Sequence, residues 1–427
     1  MSMLPRLWSA PGIKTILLAS LLALALPAQA ETVLRVFIGG AAQRPDLFRT
    51  LADRYEASHP GIRIEIGSGA ATSELQRKYL SVLLNAHDDS FDALMLDIVN
   101  PHQFAAAGWI APLEPYLPAE KHRLLEDGLP IYQHTNLIKG QLYTLPAVTD
   151  AMFMYYRKDL LAKHGIAAPQ TWQQLAAAAR TITQAEQQAG LQGLSIQGAP
   201  IEGTVCSFLI PYWSQGKDIL DSNGKLALDR PAALKALQLW QGLQQQNIIP
   251  RHVAEVKTAD TVNTFKAGNA VFAINWGFAW GVFQNDKDSR VKGKVGMVRM
   301  PALADGQHAT CLGGWQWAMS NYSRHKAQTA DFLRYLASPE SIRYITVQGA
   351  LLPPYLSLYN DQAVLAVMPW LQEAKPALLA AKSRPLTPRY AQVSDVLRIS
   401  TSAVLAGSLS TDEGLEDISR RLQRILR

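Results

Sequence analysis

Two short stretches concentrate aromatic residues beside glycine: Asn275-Trp276-Gly277-Phe278-Ala279-Trp280-Gly281 and Gly313-Gly314-Trp315-Gln316-Trp317. Such segments suit the holding of a polyhydroxylated ring. A pyranose has apolar C–H faces and a hydroxyl rim, so its site needs flat rings against the faces and carboxylates, guanidinium groups or amides around the edge. Glycine beside tryptophan lets backbone approach the ligand closely. An isolated tryptophan usually fills a core, and two Trp-Gly clusters leave both readings open for each ring. The carboxylates available to meet hydroxyls are Asp97, Asp150 and Glu202. The same groups could serve a glycosidase, which works with one carboxyl as acid and another as base or nucleophile. Nothing in their spacing singles out such a pair. The histidines show no metal-ligand spacing, and there is no Gly-rich phosphate loop and no Gly-x-Ser-x-Gly elbow. No metal, cofactor or catalytic machinery is therefore expected.

The N-terminus points to export. Arg6 and Lys14 precede an apolar run from Ile16 to Leu26, followed by Pro27 and the small-residue triplet Ala28-Gln29-Ala30, the pattern of a secretory signal peptide over residues 1–30. The run is shorter than the roughly 18 to 20 residues that a spanning helix needs. No cysteine lies near the expected cleavage after Ala30, so a thioether-linked lipid is not expected, and a free periplasmic protein follows. Removing 30 of 427 residues leaves 397, more than one compact core usually holds, so two domains are expected. With 48% hydrophobic and 18% charged residues and no low-complexity tract, neither disorder nor an integral membrane body fits. The mature balance of 39 basic against 35 acidic residues is only +4, with both signs interspersed, which argues against a nucleic-acid partner. Cys206 and Cys311 would share an oxidising compartment; a disulfide and two buried thiols both remain open.

The elements that must position these residues alternate. Val33 to Ile38 reads as a buried strand, Phe48, Leu51 and Tyr55 share a helix face that His59-Pro60-Gly61 ends, and Ile62, Ile64 and Ile66 alternate as a second strand. An amphipathic stretch from Leu75 to Leu84 and the run Ala93 to Leu96 add another helix and strand. Alternation of this kind builds an open α/β sheet. Thr171 with Gln174 and Ser410 with Glu413 form capping boxes, Pro231 opens a helix, and Leu415, Ile418, Leu422 and Ile425 share one face of the last helix. Two domains with no Pro/Gly/Ser linker suggest interwoven lobes that the chain enters more than once.

The string Gly140 to Pro146, continuing through Thr149-Asp150, Met154 to Leu161 and Pro169 to Trp172, resembles the extracellular solute-binding proteins of sugar ABC importers. Phe265 to Ile274 is similar to that family's stretch before a ligand-facing tryptophan, and Leu312-Gly313-Gly314-Trp315 to a later crossover. Arg384-Pro385-Leu386-Thr387-Pro388 followed by Tyr390 resembles the trehalose/maltose-binding branch. The resemblance implies an α/β, two-lobe periplasmic binding protein fold of the type II-like, hinged kind. The first lobe would take 31–149 and 313–350, and the second 150–312 and 351–427, with crossovers near Val148 to Ala151, near Leu312 and near Ala350.

The resemblance also implies roles. Asp97, Asp150 and Arg384 would bond sugar hydroxyls, Trp276, Phe278 and Trp315 would stack on rings, Gly313 would offer backbone, and Glu202 would add a polar contact at a helix start. The partners would be a di- or oligosaccharide and the membrane permease of the importer, with the protein itself a monomer. Plainer roles exist: Asp97 as a cap, Arg384 in a surface ion pair, Glu202 solvated at its helix N-terminus. Tyr155, Tyr156 and Arg157 read as structural. Val148, Phe278 and Gly39 to Gln43 depart from the branch by lacking aromatic, hydroxyl or acidic partners, so the sugar need not be trehalose. The other readings are a polyamine, opine or metal carrier on the same fold, which predicts acidic or tyrosine-rich walls, a glycerol phosphate carrier of that fold, and a secreted glycosidase.

Overall fold

A computed structural model describes residues 31–427; the expected signal peptide, residues 1–30, lies outside the described residues. Strand β1 (Thr32–Ile38) leads into helix α1 (Pro45–Ser58), which starts at its proline and buries Phe48, Leu51 and Tyr55 on one face. Strand β2 (Ile62–Ser68) pairs in parallel with β1, from Thr32 opposite Ile62 to Ile38 opposite Ser68. Helix α2 (Ser73–Asn85) and strand β3 (Ala93–Asp97) follow, β3 lying parallel to β1 on its other side. These elements form the first lobe.

Helix α2 forms where the Leu75 to Leu84 stretch predicts it, and only part of its apolar set is buried. Leu80 and Leu84 are buried, whereas Leu75, Tyr79 and Val82 are exposed and Glu74, Gln76 and Arg77 are buried. The helix turns Glu74 and Arg77 toward the second lobe, where both find hydrogen-bond partners, while Gln76 donates to Ala70 O within the first lobe.

Strand β4 (Thr144–Arg157) belongs to both lobes. The second lobe continues with α3 (Trp172–Glu186), β5 (Gln192–Ser195), α4 (Glu202–Trp213), α5 (Arg230–Gln245), β6 (Ala270–Trp276) and β7 (Val295–Val298). Both halves of the Thr171–Gln174 capping box are made, and Asp229 caps the helix that Pro231 opens. Strand β8 (Cys311–Ser320) then returns the chain to the first lobe. Along β4, Thr144 to Ala151 pair antiparallel with β8, while Met152 to Tyr156 pair antiparallel with β6. The strand order β2-β1-β3-β8-β4-β6-β5 thus joins the two lobes through β4 and β8.

After β8, helices α6 (Lys326–Leu336) and α7 (Pro339–Gly349) pack on the first lobe, where Tyr55 donates to Asp331 at 2.8 Å. The sequence reading starts the final second-lobe segment at 351, yet residues 352–361 still bond to the first lobe. Tyr355 donates to Ala337 O at 2.6 Å, Ser357 to Asp127 at 2.6 Å, and Arg343 of α7 to Asp361 at 2.7 Å. Only with Trp370, packed edge-on to Phe153, and helix α8 (Leu371–Leu379) does the chain lie against the second half of β4. Strand β9 (Lys382–Ser383) runs parallel to Cys311–Leu312, and α9 (Tyr390–Leu405) and α10 (Thr411–Ile425) complete the second lobe against α4 and α5. The Ser410–Glu413 capping box forms, and Leu415, Ile418 and Leu422 are buried.

Cys206 of α4 and Cys311 of β8 form a disulfide whose Cα atoms lie 5.7 Å apart. It ties the returning strand to the core of the second lobe, where both residues are fully buried.

Candidate ligand-binding site

Strand register assembles the site. Trp315 lies opposite Asp97 on one side and Val148 on the other, Gly313 opposite Asp150, and Trp276 opposite Met152. Because β3, β8, β4 and β6 are neighbours, residues far apart in sequence reach one gap at the point where β4 passes between lobes. A cavity of about 200 Å³ lies there, and all eight residues singled out from the sequence line it: Asp97, Asp150, Glu202, Trp276, Phe278, Gly313, Trp315 and Arg384.

The four tryptophans of the two clusters divide evenly. Trp276 and Trp315 line the cavity and are half-buried. Trp317 is fully buried and meets Phe48 edge-on at 5.1 Å, while Trp280 packs against Trp370 and donates its indole N–H to Val367 O. Alternation along β8 explains Trp315 and Trp317 only in part, because a β-bulge between Trp315 and Gln316 resets which way the later side chains point. Tyr155, fully buried as a structural strand residue should be, donates to the carbonyls of Trp276 and Gly277 and props the turn that carries the ring.

Gly313 is needed by Trp276: a Cβ at position 313 would sit 2.5 Å from ring atom Cζ3. The Arg384 guanidinium carbon stands 5.9 Å from the Trp276 ring centroid, a cation–π separation. Indole, glycine and guanidinium are therefore packed as one unit.

Arg384 is buried and bridges two carboxylates, donating to Asp97 Oδ1 at 2.6 Å and to Glu202 Oε2 at 3.0 Å. Asp97 also accepts from Ser73 Oγ at 2.6 Å. Glu202, the first residue of α4, is saturated: Oε1 accepts from Arg77 at 2.8 Å and Ser394 at 2.6 Å, and Oε2 from Arg384 and Tyr390. Burial pushes its carboxyl up, but Arg77, Arg384 and the two hydroxyl donors outweigh that and hold it at about 2. With four donors in place, Glu202 positions its neighbours more readily than it accepts a further hydroxyl. Burial would lower the Arg384 pKa, yet Asp97, Tyr390 and Glu202 keep it well above the ordinary value.

Asp150 behaves oppositely. No cation pairs with it among the described residues; its Oδ1 accepts from the backbone N–H of Ala151 at 2.8 Å and of Gly277 at 2.6 Å. Burial raises its pKa to about 7, with the backbone donors pulling the other way. Such a group contributes stability that is fully present below the unfolded-state value near 3.9 and is lost as pH rises through about 7. Asp150→Asn keeps an oxygen for both backbone donors and cannot ionise. Its melting temperature relative to the parent should rise between about pH 4 and pH 7 and level off above that, read by calorimetry in matched buffers; a difference that stays flat across that span counts against the buried, protonatable Asp150.

Three lining residues carry buried polar atoms with no partner among the described residues: Gln43 Oε1, Thr72 Oγ1 and Arg384 Nε. Leaving such atoms unpaired costs roughly 1–3 kcal/mol each, so the gap is suited to a ligand rich in hydroxyls. The Gly39 to Gln43 segment lacks a carboxylate, but it brings the Gln43 amide to the cavity. Sequence reasoning also passed over Arg77, Ser73 and Ser394. Their types are ordinary for helices, and their partners are distant in sequence: Ser73 meets Asp97 within the first lobe, Ser394 meets Glu202 within the second, and Arg77 reaches Glu202 across the gap.

Two α/β lobes strung on shared strands, with aromatic and charged groups of both facing one gap, define a two-lobe solute-binding protein. Residues 41–342 match the family model described as bacterial extracellular solute-binding protein, and the chain belongs to that family. It is 32% identical over 351 residues to a probable ABC transporter-binding protein of Deinococcus radiodurans, covering 80% of this chain and 81% of that one. A mannitol-binding protein of Pseudomonas aeruginosa is 25% identical over 434 residues, with 95% of each chain covered. Among solved structures, maltose-bound MalE3 of T. maritima superposes with a TM-score of 0.86 at 30% identity, covering 92% of this chain and all of that one. Among the described residues no helix is long and apolar enough to cross a membrane, and no group of three or more His, Cys, Asp or Glu could hold a metal ion.

Proposed function

We propose that the protein captures a carbohydrate of the trehalose or maltose type between its lobes and presents the closed form to the permease of an ABC importer. The observation that carries this reading is the meeting of Trp276, Phe278 and Trp315 with the unpaired atoms of Gln43, Thr72 and Arg384 around one gap. Rings supply the apolar faces and the unpaired polar atoms supply the rim that a sugar needs. Asp97, Asp150 and Arg384 are the polar contacts in this reading, and Glu202 holds Arg384 in place. Contacts from both lobes make the closed form the tighter binder, so ligand shifts the hinge equilibrium by its differential affinity for that form. The hinge consists of the β4 passage near Asp150, the β8 passage near Leu312, and the later stretch between Asp361 and Trp370.

The protein acts in the periplasm as a monomer, free of a lipid anchor, and catalyses nothing. A glycosidase would need two carboxyls free to exchange protons with substrate. Here Asp97 and Glu202 are both committed to Arg384, which leaves Asp150, raised to about 7 by burial, without a second free carboxyl of that set beside it. No tyrosine lines the gap, and of its four lining carboxylates, Glu74, Asp97, Asp150 and Glu202, two are already paired with Arg384, which disfavours a polyamine or metal carrier.

A second reading is a smaller ligand, a one-ring sugar or an acyclic polyol. The cavity volume of about 200 Å³ favours it, being below the roughly 300–1,000 Å³ of pockets that hold drug-sized ligands. A thermal-shift panel running from ribitol, mannitol and hexoses to maltose and trehalose separates the two. Ligand at a hundred times Kd adds about 2.7 kcal/mol to native stability, enough for a clear rise in melting temperature. Stabilisation by the disaccharides supports the first reading, stabilisation by polyols alone the second, and a panel without any shift refutes both.

A further inference from the structure

Arg77 is a buried cation with no partner in its own lobe. It sits on α2, its side chain is only 3% exposed, and its one hydrogen-bond acceptor among the described residues is Glu202 Oε1, at 2.8 Å, on α4 of the other lobe. The ring it faces, Tyr390 at 5.8 Å, also belongs to the second lobe. The helix that carries it leaves Leu75, Tyr79 and Val82 in solvent so that Glu74 and Arg77 can face the gap, and Glu74 Oε2 accepts the backbone N–H of Glu202 at 3.4 Å. A helix placed this way makes sense only with the second lobe in contact.

We infer that Arg77 is a positioning residue whose ion pair with Glu202 latches the two lobes together and populates the closed form before any ligand arrives. Every donor on Glu202 is a protein group, so the latch is complete from protein atoms alone. Of the four side-chain donors, Arg77 alone comes from the first lobe; Ser394 and Tyr390 lie on α9, and Arg384 lies between β9 and α9. Arg384 supplies a second tie by reaching Asp97 at the end of β3. Taking two charges out of water nearly cancels their attraction, so the pair closes the lobes reversibly. Removing one partner leaves the other buried and under-compensated, and that loss falls on the closed form alone, because in the open form water solvates Glu202. The latch rests on the two-lobe capture reading but not on the ligand being a sugar.

Spin labels test this without a ligand. The described residues contain no free cysteine, so Ala57→Cys on α1 and Ala177→Cys on α3, both exposed, give one label per lobe while the native disulfide stays intact. Pulsed dipolar spectroscopy with no sugar added should show a short-distance population in the doubly labelled parent. Arg77→Met should lower the ratio of short to long distances at least tenfold, and Arg77→Lys should restore part of it. Glu202→Gln, which keeps the shape and loses the charge, should act in the same direction and carries the test if Arg77→Met fails to fold by circular dichroism. A parent with no short-distance population, or a folded Arg77→Met or Glu202→Gln sample with the parent's distribution, overturns the latch. A separate titration with maltose bears on the sugar reading: failure of maltose to close any variant would damage that reading and leave the distance comparison intact.

Discussion

Arg384→Met should destabilise the protein by about 3–5 kcal/mol and abolish ligand capture, the largest effect expected of any substitution in the gap. Asp97 and Glu202 would both lose their shared cation while remaining buried, and the Trp276 ring would lose the guanidinium beside it. Glu202 keeps Arg77, so the harm concentrates on Asp97, whose remaining side-chain donor is a neutral serine hydroxyl. Arg384→Lys should rescue little, since one ammonium cannot replace a planar fork that spans two carboxylates. Denaturant midpoints and calorimetric titration read the two consequences separately. A methionine variant with the parent's midpoint and affinity would mean that the two carboxylates have other partners in solution.

The second large effect concerns the disulfide. Cys206 and Cys311 are 105 residues apart, and closing a loop of about that length is worth on the order of 4.7 kcal/mol in the chain-entropy account, with about 2–5 kcal/mol usual when a native bridge is removed. Cys206→Ala with Cys311→Ala should therefore lower the unfolding midpoint strongly and make it indifferent to reductant. The parent should fall towards the same value in dithiothreitol, provided that unfolding exposes the buried bridge. If the parent's midpoint is unmoved by reductant and equals that of the double variant, the two thiols are not joined. The bridge matters for function through its position: it fastens α4, which carries Glu202 at its start, to the strand that carries Gly313 and Trp315.

Closure and stability draw on the same few groups, which explains why the gap contains so many charges in so little space. Ions in a buried site are nearly neutral in net energy but strict in geometry, so they fix where the lobes meet. The rings contribute the opposite: broad apolar area with weak directional demand. Asp150 stands apart, held by backbone N–H groups with no counterion among the described residues, and burial lifts its carboxyl to about 7, so its charge changes near neutral pH.

Much of this was readable from residue order. Capping boxes at Thr171 and Ser410, the proline starts of α1 and α5, and the period-two strands are local signals, decided by neighbours within a few residues. The crowding of tryptophan with glycine marked the right segments, and the resemblance around Asp150 and Arg384 marked residues that line the gap. What local signals could not decide was which tryptophan of each cluster faces the gap, because that depends on a bulge in β8 and on the packing of Trp280 against Trp370. Nor could they show that α2 buries Arg77 while exposing Val82, since the partner that makes such burial tolerable, Glu202, is 125 residues further along the chain. Spacing along a chain sets which side chains share a face of a helix or strand; only the meeting of the two lobes sets what that face must satisfy, because a buried charge is stable only where a second element brings its counterpart within hydrogen-bond reach.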